Sequence, residues 1–359
     1  MPSAAARISM DPTALDDRLH VLVATRGRRR LWGLLGLIAL TLVGVVLSLA
    51  LGARDIAPTT VVETLLGVRP ADDYEALVIT TERMPRAILA LLVGASLGAS
   101  GVIMQALTRN PLADPGVLGI ELGAAFAVLI GILFFGVRGA SSYFWWALAG
   151  SAVTAAAVVL AIARLASLAA STTISLVIAG AAMSAILGSL ITLLIVRDTA
   201  VYAHYNYWSV GQLNGRGGVI DEIWPFALCG LLLAVPLGRP LNALALGEEV
   251  AEGLGLAVRR WQLGGALVAV VLCATATSAV GPVAFVGLIG AHTARLLVGG
   301  DHRWLLPYGA LCGAALLLIA DVACRLVPGN GELQVAIATA VIGAPVFVAL
   351  ARGRRVVPA

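Results

Sequence analysis

Ten stretches of about twenty mostly apolar residues, separated by short polar or glycine-containing passages, restrict what this 359-residue chain can become. The hydrocarbon core of a bilayer is about 30 Å thick, so a helix crosses it in about twenty residues. Only helices and closed barrels satisfy their backbone groups in that medium. The runs are long and do not alternate between apolar and polar residues, which selects helices. With 60% hydrophobic and 12% charged residues, the chain lacks the polar surface that water requires. It reads as an all-α integral membrane protein.

The expected spans lie near 31–52, 84–107, 115–136, 143–166, 171–196, 223–238, 261–280, 283–298, 304–326 and 334–351. Glycine and proline make the seventh and eighth hard to separate. Residues 1–30 form a lead expected to be poorly ordered, and 31–355 a single transmembrane domain. The first apolar run is too long, and too far from the start, for a cleaved secretory signal. Orientation follows from arginine, because short cytoplasmic segments hold an excess of basic residues. Arg26, Arg28, Arg29 and Arg30 precede the first span and Arg352, Arg354 and Arg355 follow the last. Ten crossings put both termini on one side, so both are expected in the cytoplasm of a bacterial inner-membrane protein. Segment 53–82, rich in Asp and Glu, then lies outside.

All 24 basic residues are arginine. A phosphate-binding P-loop needs a lysine, so this chain is not expected to hydrolyse ATP by that route. An H-E-x-x-H arrangement is missing too, and no catalytic residue is assigned. Cys229, Cys273, Cys312 and Cys324 lack metal-type spacing, and the four histidines are scattered. No metal site or cofactor is expected, and the net charge of +4 reads as a topology signal rather than a nucleic-acid footprint. Ionisable residues within spans mark ion pathways, and Glu121, Asp321 and Arg325 are the candidates. Asp321 and Arg325 stand one helical turn apart and can neutralise each other. Glu121 sits near a span end, where a structural role is favoured. A proton-coupled secondary carrier using Glu121 or Asp321 is the alternative these residues leave open.

One polar passage is too patterned for a linker: LNALALGEEVAEGLGLAVRR, in the inside loop 239–260. Leu244 and Leu246 precede Gly247, Glu248 to Gly253 can form one or two helical turns, and Gly255 can end them. Two short helices at an angle would protrude. The acids Glu248, Glu249 and Glu252 suit a protein partner better than an anionic membrane surface.

That passage resembles the cytoplasmic coupling loop of the FecCD-type permeases, membrane subunits of ABC importers for iron-siderophores, haem and cobalamin. Further similar stretches follow in family order: RMPRAILALLVGASLGASGVIMQALTRNPLADPGVLGI at 83–120, YWSVGQL at 207–213 and GPVAFVGLIGAHTARLLVGGDHRWLLP at 281–307. GALCGAALLLIADVACR and VIGAPVFVAL close the chain, so the resemblance covers about 54–355. It implies the type II ABC importer permease architecture of ten helices. It implies as partners a second permease copy (a homodimer, or a heterodimer), two ATPase subunits and an extracytoplasmic substrate-binding protein. An iron-siderophore is the first expected solute, with haem and cobalamin behind it.

Site residues carry over by the same resemblance. Leu244, Leu246, Gly247, Glu248, Glu249, Glu252, Gly253 and Gly255 would seat in the ATPase. Arg83, Arg86 and Arg325 would receive glutamates of the binding protein; helix-end anchoring is their simpler role. Thr172 and Thr173 would lie near the inner gate, with Tyr207 and Trp208 near the outer mouth. The sequence departs from the family at Ala291, where proline is general, and at Gln334 and Ala336, where proline and glycine are usual. Straighter helices are expected there.

Overall fold

The computed structural model describes residues 12–52, 54–70, 72–165, 172–196, 199–327 and 333–352, which form helices and turns with no strand among them. The helices are α1 (Pro12–Ala50), α2 (Pro58–Leu65), α3 (Tyr74–Val78), α4 (Met84–Thr108), α5 (Ile120–Phe135), α6 (Ala140–Leu165), α7 (Thr172–Ile195) and α8 (Thr199–Ser209). They continue with α9 (Ile220–Ala234), α10 (Gly238–Ala245), α11 (Glu248–Gly253), α12 (Val258–Val280), α13 (Val286–Val298), α14 (His302–Leu326) and α15 (Val335–Arg352). Among the described residues, seven helical stretches are long and apolar enough to cross a membrane, with α3–α4 and α9–α10 each counted as one. The shorter apolar helices α5, α13 and α15 supply the rest of the expected ten.

Two boundaries differ from the sequence reading. Helix α1 begins at Pro12, well before the apolar run, across residues expected to be poorly ordered. No glycine or proline interrupts the chain between Pro12 and Gly27, and Ala, Leu and Arg there favour helix. Residues 1–11 and 353–359 lie outside the described set. The seventh and eighth spans, α12 and α13, separate at Gly281–Phe285, where Gly281 has φ +87° and Phe285 φ +68°. A positive φ is costly for phenylalanine, and it turns the chain sharply back into the bundle. Helix α13 runs unbroken through Ala291, as expected without the proline.

Helix α4 is the centre of the bundle, because every residue from Ser96 to Ala106 is buried. A helix apolar on all sides belongs where neighbours cover every face. Its glycines decide how closely they approach. A Cβ on Gly94 would meet the Gly313 backbone, one on Gly98 the Gly309 carbonyl, and one on Gly101 the Gly287 backbone. Lipid offers no hydrophobic drive between helices, so backbone-to-backbone packing at small residues holds α4 to α13 and α14. Replacing Gly98 by valine should therefore destabilise the fold by about 1–3 kcal/mol or more. Thermal unfolding of the purified protein checks this, with Gly264→Ala as control: no atom lies near a Cβ at Gly264, so its melting temperature should not fall.

The joint before α4 has a local cause. Residues Ile79–Arg83 form a π turn, with the Met84 N–H donating to the Ile79 carbonyl. Pro85 has no N–H to give and cannot continue an ordinary ladder, so the extra residue absorbs the mismatch. The turn leaves Arg83 buried at the end of the bundle where α1 stops. Glu121 occupies the first turn of α5, where a carboxylate complements the helix dipole.

Candidate functional site

Three arginines gather at the end of the bundle where α1 stops, and the end of α1 explains why. A helix leaves its last four carbonyls without intrahelical donors, and little water reaches them here. Arg83 Nη1 donates to the Leu49 and Ala50 carbonyls at 2.7 and 2.8 Å. Arg325 Nη1 donates to the Ser48 and Leu51 carbonyls at 2.8 and 3.2 Å, and its Nη2 to Ser48 Oγ at 2.7 Å. The two guanidiniums thus engage the Ser48, Leu49 and Ala50 carbonyls at the end of α1 and the Leu51 carbonyl just after it, with the Ile56 N–H also donating to Ala50, and their charge opposes the negative pole of that helix.

Asp321 closes the knot. Arg86 Nη2 lies 2.8 Å from Asp321 Oδ1, and Arg325 Nη2 lies 2.9 Å from Asp321 Oδ2. Asp321 is fully buried, and each of the three arginines is only 7% exposed. The guanidiniums of Arg83, Arg86 and Arg325 turn inward because the α1 carbonyls and Asp321 claim them. The expected Asp321–Arg325 pairing is present.

At the opposite end, α10 and α11 form the two-helix protrusion. Gly247 joins them at φ +115°, and Gly255 follows α11 at φ +80°. Leu244 is 2% exposed and packs into the core, so it anchors the protrusion rather than forming its contact surface. Leu246, Val250 and Leu254 are the exposed apolar residues, at 65%, 49% and 67%. Glu249 and Glu252 face outward beside them. Glu248 reaches back instead: Arg109 lies 3.5 Å from its carboxylate, and Gln262 Nε2 donates to it at 3.1 Å.

A second tie fixes the protrusion to the bundle. Asn242 of α10 donates to Asp301 Oδ1 at 2.8 Å and accepts the His302 N–H at 2.7 Å. Asp301 caps α14 by accepting the Arg303 N–H at 3.1 Å, and it pairs with Arg303 and with Arg30 of α1. Burial works to raise the Asp301 pKa, but hydrogen bonds from Arg303 and Asn242 outweigh it and bring it down to about 2. One ionised carboxylate therefore joins α1, α10 and α14. Sequence reading missed Asn242, Asp301, Val250 and Leu254. A polar Asn inside a short amphipathic helix and an Asp one residue before an apolar helix were the available signals.

Between the two ends, α7 is the least buried long helix, with 17% of its apolar window covered. Thr172 and Thr173 fall in its first turn, with side chains outside the described set. Tyr207 is exposed, and the Arg216 guanidinium lies 5.1 Å from its ring centroid. Trp208 is fully buried in the cluster formed by α5, α6 and α7. Successive residues of a helix point about 100° apart, so only one of the pair can face open space.

A ten-span helical bundle with an arginine-closed rim at one end and a glycine-jointed protrusion at the other defines a polytopic membrane permease. The chain belongs to the FecCD transport family, which it matches over residues 40–353. It is 40% identical over 319 residues to the ferric enterobactin transport system permease protein FepD of Escherichia coli (strain K12), covering 88% of this chain and 94% of that protein. It is 37% identical over 272 residues to the hemin transport system permease protein HmuU of Yersinia pestis, covering 74% and 80% respectively. Its fold matches a solved metal-chelate type ABC transporter in an inward-facing conformation, with TM-score 0.76 and 29% identity, covering 89% of this chain and 97% of that one. Members of the family are membrane permeases of ABC importers that work with a separate ATPase and a substrate-binding protein.

Proposed function

We propose that this chain forms the translocation pathway of an ATP-driven importer for an iron chelate, an iron-siderophore before haem or cobalamin. The observation that carries the reading is the α10–α11 protrusion, whose exposed Leu246, Val250 and Leu254 suit the surface of an ATPase subunit. Leu244, Asn242 and Glu248 hold that element to α14, α4 and α12, so movement of the protrusion becomes movement of spans. Gly247, Gly253 and Gly255 shape it, and Glu249 and Glu252 form its polar edge. Relatives for chemically different chelates, enterobactin and hemin, stand at 40% and 37% identity, which supports the metal-chelate class more firmly than any one member.

The thinly covered α7 supports pairing with a second copy of the chain, with the pathway between the two copies, Thr172 and Thr173 at its inner gate and Tyr207 at its outer mouth. Arg26, Arg28, Arg29 and Arg30 ahead of the apolar run of α1, and Arg352 at the end of α15, support a cytoplasmic position of both termini in a bacterial inner-membrane protein. On the outer face, Arg83, Arg86 and Arg325 serve docking by fixing the end of α1 and the start of α4, on which the binding protein would rest. Asp321 sits between two guanidiniums and is poorly suited to shuttle protons, which counts against the secondary carrier. Uptake into proteoliposomes holding the permease and its ATPase tests the reading. Inactivating the ATPase should abolish uptake of ferric siderophore, and an uncoupler should leave it intact. The reverse pattern would give the chain to the carriers.

A further inference from the structure

At the protrusion end of the bundle, a groove of about 710 Å³ runs between α1, the end of α13 and the first turns of α14. Arg29, Arg30, Trp32, Leu297, Val298 and Tyr308 border it. Its two sides differ in chemistry. Trp32 and Leu297 are 63% and 58% exposed and make an apolar wall. The rim is cationic: Arg29 borders the groove and Arg28 is its neighbour on α1, both are exposed, and among the described residues no hydrogen bond or ion pair engages either. Arg30 and Arg303 also stand at this end, but Asp301 holds both. Tyr308 closes the floor, donating its hydroxyl to the Arg30 carbonyl at 2.7 Å.

The position of the groove is as telling as its lining. Trp32 lies five residues after Gly27, where the membrane-crossing part of α1 begins, and Trp304 lies in the first turn of α14, at positions where tryptophan marks the boundary between headgroups and hydrocarbon. Two unengaged guanidiniums at that depth meet phosphate, and a guanidinium fork takes two phosphate oxygens at once. Basic grooves between spans on the cytoplasmic side are suited to acidic headgroups.

We propose that this groove is a binding site for an anionic phospholipid, with its phosphate on Arg28 and Arg29 and an acyl chain along Trp32, Leu297 and Val298. The occupant would lie against Arg30, one ion pair from Asp301 and hence from the Asn242 tie to α10. Lipid at this site therefore touches the connection that holds the protrusion.

Native mass spectrometry of the full-length permease in neutral detergent tests the site, with dioleoyl phosphatidylglycerol and dioleoyl phosphatidylcholine as probes. Phosphatidylglycerol should bind at least tenfold more tightly. Near a membrane surface each arginine contributes about a fivefold factor, so Arg28→Gln with Arg29→Gln should weaken phosphatidylglycerol binding about twentyfold. Lysine at both positions should restore most of it. Trp32→Ala should weaken both lipids, and Arg352→Gln, at the end of α15, should change neither. Equal binding of the two lipids, or a double glutamine variant that binds like the parent, overturns the proposal. So does displacement of the lipid by millimolar inorganic phosphate, which would mark a free-anion site. Should the double variant fail to fold, Arg29→Gln alone decides, at an expected fivefold loss. A Trp32→Cys variant that cross-links to a second copy of the chain or to the ATPase would assign the groove to a protein and overturn the proposal as well.

Discussion

Replacing Asp321 by alanine should cost about 3–5 kcal/mol, because removing one partner of a buried ion pair leaves opposing charge without compensation. Arg86 and Arg325 both converge on this carboxylate, at 2.8 and 2.9 Å, and it is fully buried. Arg325 keeps the Ser48 and Leu51 carbonyls after the change, while both guanidiniums lose their ion pair with this carboxylate. The melting temperature of the purified permease should drop by several degrees, and the yield of inserted protein with it. Asp321→Asn should cost less, since an amide oxygen still accepts a hydrogen bond. Arg86→Met added to Asp321→Leu should recover part of the loss, because apolar groups of similar volume then replace the ion pair. An unchanged melting temperature in Asp321→Ala would return the three arginines to a purely docking role.

How much of this was legible in the sequence depends on the range of the signal. Span number and helix type are local properties of apolar runs, and the ten spans expected from them match the helices found. The positive φ values at Gly247 and Gly255 were also readable, because glycines flanking a short acidic helix announce turns. What escaped depends on pairing between distant segments. Gly94, Gly98, Gly309 and Gly313 are each four residues from a partner glycine, a spacing visible in the sequence, but nothing local says which helix each pair faces. Arg83 and Arg325 sit near span ends, where outward reach is the default for a long cationic chain. Their inward turn follows from the open carbonyls at residues 48–51, more than thirty positions from Arg83 and more than 270 from Arg325. Asn242 and Asp301 meet for a similar non-local reason, and only the packed bundle reveals it.

Valine at both Gly247 and Gly255 should uncouple transport from ATP hydrolysis while leaving the bundle folded. Gly247 lies at φ +115° and ψ 150°, a region essentially reserved for glycine, and Gly255 at φ +80°. No atom lies within 4 Å of a Cβ built at either position, so the added side chain meets open space and the whole effect comes from the backbone. Forcing a β-branched residue into these conformations costs about 1–3 kcal/mol at each position. The exposed loop relieves that strain more readily by rotating α11 than the core does by unfolding. Leu244, buried at 2% exposure, and the Asn242–Asp301 bond should keep α10 in place while α11 is re-aimed. The apolar set Leu246, Val250 and Leu254 then no longer forms one surface. With the ATPase reconstituted in nanodiscs, substrate-stimulated ATP turnover and uptake should fall at least tenfold, while melting temperature and oligomeric state stay at parental values. Gly253→Ala is the control, since Gly253 is helical and has no atom near its Cβ position; it should transport normally. Leu246→Asp with Leu254→Asp should act one step earlier and reduce co-purification of the ATPase itself, because the two residues are among the most exposed apolar groups of the protrusion. Normal uptake by the double valine variant would remove the protrusion from the coupling path.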